Sequence, residues 1–248
     1  MGIALVTGSS RGIGRSTALK LATKGHDVIV TYKSNEKSAA SVVEEIKHLG
    51  RKSVAMQLDL TDLTSFEHFC QSLSTLLIQN WNVNTFDYLI NNAGVGGFAK
   101  FGEVTEEYFE MMYLTHFKGP YFLTQILLPL ITDGGAIVNL SSATTRVIFE
   151  GTSTYASLKG AVDIWTRCLA KELGPRRIRA NSVSPGPIAT ELVDLDENPE
   201  FKQLLLDQTA LNRIGESSDV GSVIASLVSS DTQWVNAQRI EVAGGFVI

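Results

Sequence analysis

The chain has 248 residues, of which 44% are hydrophobic and 19% are charged, enough apolar material for the core of one large domain. A formal net charge of −5 argues against a protein that binds nucleic acid through its phosphates. No uncharged apolar run approaches the ~20 residues of a membrane-spanning helix, and two cysteines, Cys70 and Cys168, argue against a disulfide framework.

The N-terminal residues show no targeting signal, because Met1 and Gly2 run directly into the apolar segment Ile3–Val6 with no basic region before it. The four histidines show no metal-ligand spacing such as HExxH. We therefore expect a cytoplasmic protein without a resident metal ion and without nucleic-acid or membrane partners.

Short β-branched segments alternate with longer helical stretches along the chain. Strands are predicted at Ile3–Thr7, Asp27–Tyr32, Ser53–Gln57, Phe86–Ile90, Ala136–Leu140, Arg179–Val183 and Arg239–Val242. Helices are predicted at Gly12–Lys24, Glu36–Leu49, Leu63–Gln79, Glu106–Leu130, Ser153–Leu173 and Asp219–Val228. Several strands are apolar along their whole length, as is typical of a parallel sheet that is covered on both faces. The pattern predicts a single α/β domain over residues 1–248, with a doubly wound parallel sheet of about seven strands in three layers.

The segment from Pro185 to Glu216 interrupts this alternation. It contains several prolines and an acidic stretch, Asp194–Glu197, and it is long for a connection within one domain. We expect residues 185–216 to form a substrate-binding lid, and the alternative is a tolerated surface insertion.

A glycine-rich segment, Thr7–Gly14, lies between the first predicted strand and the first helix. Glycines at such a turn let a pyrophosphate approach the backbone, and the helix N-terminus supplies amide donors and the positive end of its dipole. The segment predicts a dinucleotide site that includes Gly8, Ser10, Arg11, Gly12, Ile13 and Gly14. The alternative is a structural turn that binds nothing.

The end of the second strand bears on the choice of dinucleotide. An acidic side chain there would bind the ribose 2′-hydroxyl of NAD, but the sequence reads Thr31–Ser34 without an acid. Arg11 and Lys33 could instead pair with a 2′-phosphate, which favours NADP(H). The nearest acid, Glu36, fits the first turn of a helix capped by Ser34 or Asn35. The alternative for the two cations is a solvated surface position.

Tyr155 and Lys159 are four residues apart in a predicted helix, which places them on one face and within reach of each other. A phenol with a pKa near 10 is a poor acid–base group at neutral pH, and a neighbouring ammonium group lowers that pKa. The pair is a candidate proton donor and acceptor. The alternative is a tyrosine that packs under a lysine stem.

With these patterns in place, the chain resembles the short-chain dehydrogenase/reductase family in its single-domain form over nearly its whole length. The motifs that carry the resemblance are Thr7–Gly14, Asp59–Leu60, Asn91–Gly94, Ser141–Ser142, Tyr155 with Lys159, and Pro185–Thr190. They stand in the family's order, at the carboxyl ends of strands, where ligands bind in such sheets. The resemblance implies a Rossmann-type fold.

The resemblance also implies residue roles. Tyr155 would be the general acid in carbonyl reduction, Ser142 would hold the substrate oxygen, with Ser141 its less favoured neighbour, and Lys159 would bind the nicotinamide ribose and lower the pKa of Tyr155. The remaining contacts to NADP(H) would come from Asp59, Leu60, Asn91, Ala93, Gly94, Pro185, Gly186, Ile188 and Thr190.

One residue departs from the family pattern. The family has an asparagine in the helix after the fourth strand, which helps to hold a water in a proton relay, and His116 stands at that position here. A histidine can also donate, accept and shuttle protons. We predict that the relay survives with His116 as a member, and the alternative is a histidine that only fills the helix interior.

The leading hypothesis is an NADP(H)-dependent carbonyl reductase or alcohol dehydrogenase that resembles the 3-oxoacyl-[acyl-carrier-protein] reductases. The basic pair that such relatives use to dock an acidic carrier protein is missing before the fifth strand, although Arg176 and Arg177 remain candidates. A small-molecule ketone or sugar is the other candidate substrate, in a largely apolar pocket lined by Gly96–Phe98, Ala143–Phe149 and Pro187–Leu211. By resemblance we expect a homo-oligomer, a tetramer or a dimer. The alternative function is a catalytically silent NADP(H)-binding regulator on the same fold.

Overall fold

A twisted parallel sheet forms the centre of the protein in a computed structural model, which describes residues 2–190 and 198–248. Seven parallel strands lie in the order β3-β2-β1-β4-β5-β6-β9, and a separate two-stranded parallel sheet joins β7 to β8. The strands are β1 Ile3–Val6, β2 Asp27–Tyr32, β3 Ser53–Gln57, β4 Phe86–Asn91, β5 Ile131–Leu140, β6 Arg179–Pro185, β7 Ile188–Ala189, β8 Gly215–Glu216 and β9 Arg239–Val242. The predicted Rossmann-type sheet of seven strands is confirmed.

Helices cover both faces of this sheet. They are α1 Gly12–Thr23, α2 Glu36–His48, α3 Phe66–Trp81, α4 Glu106–Tyr113, α5 Gly119–Leu127, α6 Ser153–Glu172, α7 Pro199–Asp207 and α8 Ser217–Leu227. The apolar side chains of α1, α2 and α8 pack in one cluster with Ala4 and Val6 of β1. Those of α3, α5 and α6 pack in a second cluster with Ile3 and Leu5. Alternate residues of β1 therefore serve opposite layers, as strand geometry requires.

The predicted helix over Glu106–Leu130 contains a π-helical turn. The chain is α-helical to Tyr113, π-helical over Leu114–Lys118, and α-helical again from Gly119. Pro120 has no N–H to donate to the carbonyl of His116 four residues before it, so the regular ladder is broken there. His116 lies in this π turn and is buried, with only 3% of its surface exposed.

The segment predicted as a lid contains regular structure of its own. It holds β7, α7 and β8, none of which the periodicity predicts, and residues 191–197 of it lie outside the described residues. The side chain of Asn198 caps α7 by accepting from the amide of Phe201 at 3.0 Å. Within the described residues, no helix combines the length and apolar character that crossing a bilayer demands.

Candidate active site

A cleft of about 1460 Å³ runs along the carboxyl ends of the sheet strands. It crosses the point between β1 and β4, where the strand order reverses and where ligands bind in sheets of this kind. The predicted site residues that line it are Gly8, Ser10, Arg11, Gly12, Ile13, Gly14, Lys33, Asp59, Leu60, Ala93, Gly94, Ser142, Tyr155, Pro185, Gly186, Ile188 and Thr190, together with Ser141. Three other predicted residues, Asn91, His116 and Lys159, lie behind this lining.

The glycine loop takes the conformation that its sequence favours. Gly8 and Gly12 have φ values of 61° and 55°, in the left-handed region where a side chain would be strained. A Cβ on Gly14 would lie 2.4 Å from the side-chain nitrogen of Asn92 and from the carbonyl oxygen of Gly8. The loop and the N-terminus of α1 therefore lie against the end of β4, with the first amides of α1 at the cleft.

Two residues that the sequence reasoning missed hold this loop. The amide of Asn92 donates to the hydroxyl of Thr7 at 2.9 Å, and its side chain donates to the carbonyl oxygens of Thr7 and Gly8. The hydroxyl of Thr31, at the end of β2, accepts from the amide of Gly8 at 3.1 Å. The loop is thus fixed from β2 and from β4. The spacing of the glycines carries no signal for either contact.

Asn91 does not present its side chain to the cleft. Its amide nitrogen donates to Thr124 at 3.0 Å and to Asn139 at 2.8 Å, inside the protein. Asn139 in turn donates to Thr166 at 2.9 Å, which links β4, β5 and α6. The side chain of Asn91 therefore joins strands and helix, and the adjacent Asn92 lines the cleft instead.

The cleft's far end, beyond β2 and β3, carries a cation and an acid. The ammonium group of Lys33 lies 3.0 Å from the carboxylate of Asp59, and 63% of the lysine side chain is exposed. Partial burial raises the pKa of Asp59, but hydrogen bonds from Thr61 and the contact with Lys33 outweigh it and hold the pKa below its ordinary value. Asp59 is therefore ionised at neutral pH, and Lys33 is already paired with it.

Ser142 and Tyr155 meet at the other end of the cleft. Burial raises the pKa of Tyr155, and a side-chain hydrogen bond with Ser142 partly offsets that rise. The hydroxyl oxygen of Ser142 accepts from the amide of Thr144 at 3.2 Å and from its hydroxyl at 2.9 Å. Because both contacts use Ser142 as acceptor, its own hydrogen can be donated to the phenol oxygen of Tyr155 or to an oxygen in the cleft.

Lys159 is buried behind Tyr155. Its ammonium group donates to the carbonyl oxygen of Leu140 at 2.7 Å and lies 5.6 Å from the centre of the Tyr155 ring. Burial lowers the pKa of Lys159 to about 8, with Asp163 opposing the shift. In this structure desolvation raises the pKa of Tyr155, and Lys159 faces the ring and a carbonyl group. The lowering of the Tyr155 pKa by Lys159 stays a prediction.

His116 stands edge-on to Tyr155, with ring centres 5.1 Å apart and planes at 88°. Its Nε2 lies 2.9 Å from the carbonyl oxygen of Val95, while the buried Nδ1 has no hydrogen-bond partner. Burial lowers the pKa of His116 to about 3, and the charge of Lys159 adds to the shift. The imidazole is therefore neutral at working pH, with its one proton on Nε2, shared with Val95.

One arginine that the sequence reasoning did not select holds the loop that carries Ser142. Arg239 of β9 donates to the hydroxyl of Thr145 at 3.1 Å and to the carbonyl oxygen of Ser142 at 3.4 Å. The same guanidinium group pairs with Asp163 at 3.2 Å and with Glu241 at 3.0 Å. The last sheet strand thus fixes the backbone next to Ser142. These partners are far apart in sequence, so no local motif indicates them.

Residues 8–247 match the profile of a family described as enoyl-(acyl carrier protein) reductase. The chain is 32% identical to the short-chain dehydrogenase/reductase FrzI of Cladobotryum sp, over 98% of this chain and 95% of that one. It is 35% identical to the 3-oxoacyl-[acyl-carrier-protein] reductase FabG of Staphylococcus aureus, over 98% and 96% respectively. Among solved structures it is similar to the angucycline C-6 ketoreductase LanV with bound NADP, with 34% identity and a TM-score of 0.94 over 98% of this chain and 95% of that one.

Proposed function

Because the chain belongs to the short-chain dehydrogenase/reductase family, we propose that it transfers a hydride between NADP(H) and a ketone or the matching alcohol. One observation carries the proposal: Ser142, Tyr155 and Lys159 meet at the end of a cleft whose other end is a glycine loop that suits a phosphate. A ketoreductase with bound NADP is among the similar structures, which supports both the cofactor and the reaction.

The residues of the cleft fit a dinucleotide with a 2′-phosphate. Because Gly14 has no Cβ, the start of α1 packs directly against Asn92 and Gly8, and the glycine loop lines the cleft where a pyrophosphate would bind. Arg11 and Lys33 line the cleft where a 2′-phosphate would lie, and the predicted pairing with that phosphate remains part of the proposal. Lys33 would then bridge the phosphate and Asp59. Gly186 and Ile188, after β6, would hold the carboxamide end.

In the reductive direction, Tyr155 donates its phenolic proton to the carbonyl oxygen while the carbonyl carbon accepts the hydride. Bound NADP(H) supplies that hydride in reduction and accepts it in oxidation. Ser142 donates its hydroxyl hydrogen to the same oxygen and stabilises the charge that develops there. The raised pKa of Tyr155 keeps the phenol protonated at neutral pH, as a general acid requires.

Lys159 places a positive charge next to the tyrosinate that remains after proton donation. His116 is retained in the proposed site, and its role as a proton carrier stays a prediction. A neutral imidazole relays a proton by accepting one at one nitrogen and releasing another from the second nitrogen to a basic group. Nε2 of His116 faces the carbonyl oxygen of Val95, which is not a basic group. The contacts favour a role in which His116 fixes the backbone at Val95, beside the cleft.

The predicted oligomeric state and cellular location are part of the proposed function. By resemblance, the predicted helices Glu106–Leu130 and Ser153–Leu173 would pack between subunits. They expose Phe109, Tyr121, Phe122 and Ile164, each at least 39% exposed, as an interface between copies would require. We propose a homo-oligomer, a dimer or a tetramer, in the cytoplasm, and sedimentation at micromolar concentration tests the assembly.

Arg176, a candidate for carrier-protein docking, pairs with Asp133 at 2.7 Å within the chain, which weakens the case for carrier-protein docking.

Titration with NADPH and NADH, followed by nicotinamide fluorescence, tests the cofactor, and NADPH consumption with a panel of ketones tests the reaction. Tyr155→Phe should bind NADPH as the wild type does and lose turnover by at least about a hundredfold, since it keeps the ring and removes the acid. Tyr113→Phe, outside the cleft, is the matched control. Wild-type binding of NADPH without turnover of any ketone would favour the regulator, and failure to bind either nucleotide would refute both functions.

A further inference from the structure

The part of the cleft next to Ser142 is walled by aromatic side chains from distant parts of the chain. Ala143 directly follows Ser142, and Phe149 lies at the end of the same loop. The other walls come from the loop after β4, from α7 and from the residues after β9. We call this region the aromatic arm and define it by its lining residues Phe98, Ala143, Phe149, Phe201, Leu205 and Phe246.

Phe149 is the centre of the aromatic arm. Its ring stacks on that of Phe246, with centres 6.1 Å apart and planes at 23°, and meets the ring of Phe201 edge-on at 6.1 Å. These are the offset and T-shaped arrangements that aromatic pairs prefer. Ala143, Leu205 and Phe246 are buried at its base, whereas Phe98 is 61% exposed at its mouth.

Hydrogen bonds hold the backbone of the two residues that carry the stacked rings, Phe149 and Phe246. The hydroxyl of Thr152 donates to the carbonyl oxygen of Phe149 at 2.7 Å and accepts from its amide at 3.3 Å. Arg146 donates to the carbonyl oxygen of Phe246 at 2.7 Å. Since Phe149 is six residues before Tyr155, this turn sets the ring in a fixed relation to the start of α6. The walls are therefore formed before a substrate enters.

None of the six residues that define the arm is charged. The charged side chains that line the cleft in the described residues belong to the glycine loop, α1, α2, the ends of β2 and β3, and β8. A carboxylate or a polyol in the arm would lose its water without gaining partners there.

From these contacts, and resting on the ketone reduction proposed above, we infer that the substrate is a flat ketone built on an aromatic or fused-ring body, which stacks against Phe149 while its carbonyl group reaches Ser142. A ring system can stack on these phenyl faces and edges over its whole width. A flexible acyl chain gains apolar contact but loses rotational freedom on entry.

Two ketones with ten carbons each, 2-tetralone and 2-decanone, separate ring shape from apolar size. With NADPH, we expect kcat/KM for 2-tetralone to exceed kcat/KM for 2-decanone by about tenfold or more, because the ring system makes two aromatic contacts. Phe149→Leu keeps an apolar side chain and removes the ring, so the preference should fall below about threefold. Trp234→Leu, which replaces a fully exposed aromatic residue, is the control and should keep the preference.

The outcomes distinguish this inference from the function on which it rests. Equal or better turnover of 2-decanone, or of an acetoacetyl N-acetylcysteamine thioester, would overturn the ring-ketone inference and leave the reductase intact. An unchanged preference in Phe149→Leu, with normal NADPH binding to show that the variant is folded, would also overturn it. No turnover of any of the three compounds by protein that binds NADPH would overturn the ring-ketone inference, whereas the reductase itself is refuted only when the whole ketone panel gives no NADPH consumption.

Discussion

Replacing His116 with asparagine should make the free energy of unfolding less dependent on acid pH. The folded protein holds the pKa of His116 at about 3, whereas the unfolded chain restores the ordinary value of 6.5. Between these values the unfolded state binds the extra proton, so wild-type stability falls as pH decreases below 6.5. Relative to pH 7.5, the loss at pH 5 from this one group is about 2 kcal/mol.

Urea unfolding of the cofactor-free protein at pH 7.5 and pH 5 measures this effect, with the wild type, His116→Asn and His48→Asn side by side. The substitution itself changes stability at both pH values, so the quantity that matters is the difference between them. That difference should be smaller by about 2 kcal/mol in His116→Asn. The exposed His48 is the control and its substitution should leave the difference unchanged. An equal loss in His116→Asn and wild type would refute the reasoning that burial keeps the imidazole neutral.

Three further results are expected. Lys33→Ala should lower the ratio of NADPH to NADH affinity by about tenfold, since an exposed charge-assisted contact is lost, and nicotinamide fluorescence measures both affinities; an unchanged ratio would remove Lys33 from phosphate binding. Gly14→Ala should weaken NADPH binding by at least about tenfold because its Cβ has no room, whereas Gly102→Ala, where the space is open, should bind normally. The kcat/KM for ketone reduction should decline above about pH 8 as Lys159 loses its charge, and a decline that begins only above pH 10 would assign it to Tyr155 instead.

The sequence pattern predicts the sheet well because its strands are short, apolar and buried on both faces. Every predicted strand and helix exists, and Asn35 caps α2 as one of the two candidates. β5 begins at Ile131, five residues before the predicted start at Ala136, because the polar and glycine-rich residues after Ile131 do not resemble a buried strand. The pattern also does not predict the π turn before Pro120, although the proline itself marks the place where the helical ladder breaks.

The sequence predicts the motifs of the site but not the residues that hold those motifs in place. The order of motifs places the glycine loop, Ser142 and Tyr155 at one edge of the sheet, because strands of a parallel sheet end there together. Which of two neighbouring asparagines faces the cleft depends on the alternation of side chains at the end of β4, and the motif does not resolve it. Arg239 and Phe246 lie about a hundred residues from the groups they hold or contact. Only the folded chain brings them together.

The contact between the glycine loop and Asn92 means that this loop is not a portable module. Its shape depends on a side chain more than eighty residues further along, which donates to two of its carbonyl oxygens. A transplant of the segment Thr7–Gly14 into another protein, made to change cofactor preference, would therefore need Asn92 and the small residue Ala93 as companions. Conversely, a screen that randomises the loop alone explores only sequences that fit an unchanged β4, and useful variants call for both segments to be diversified together.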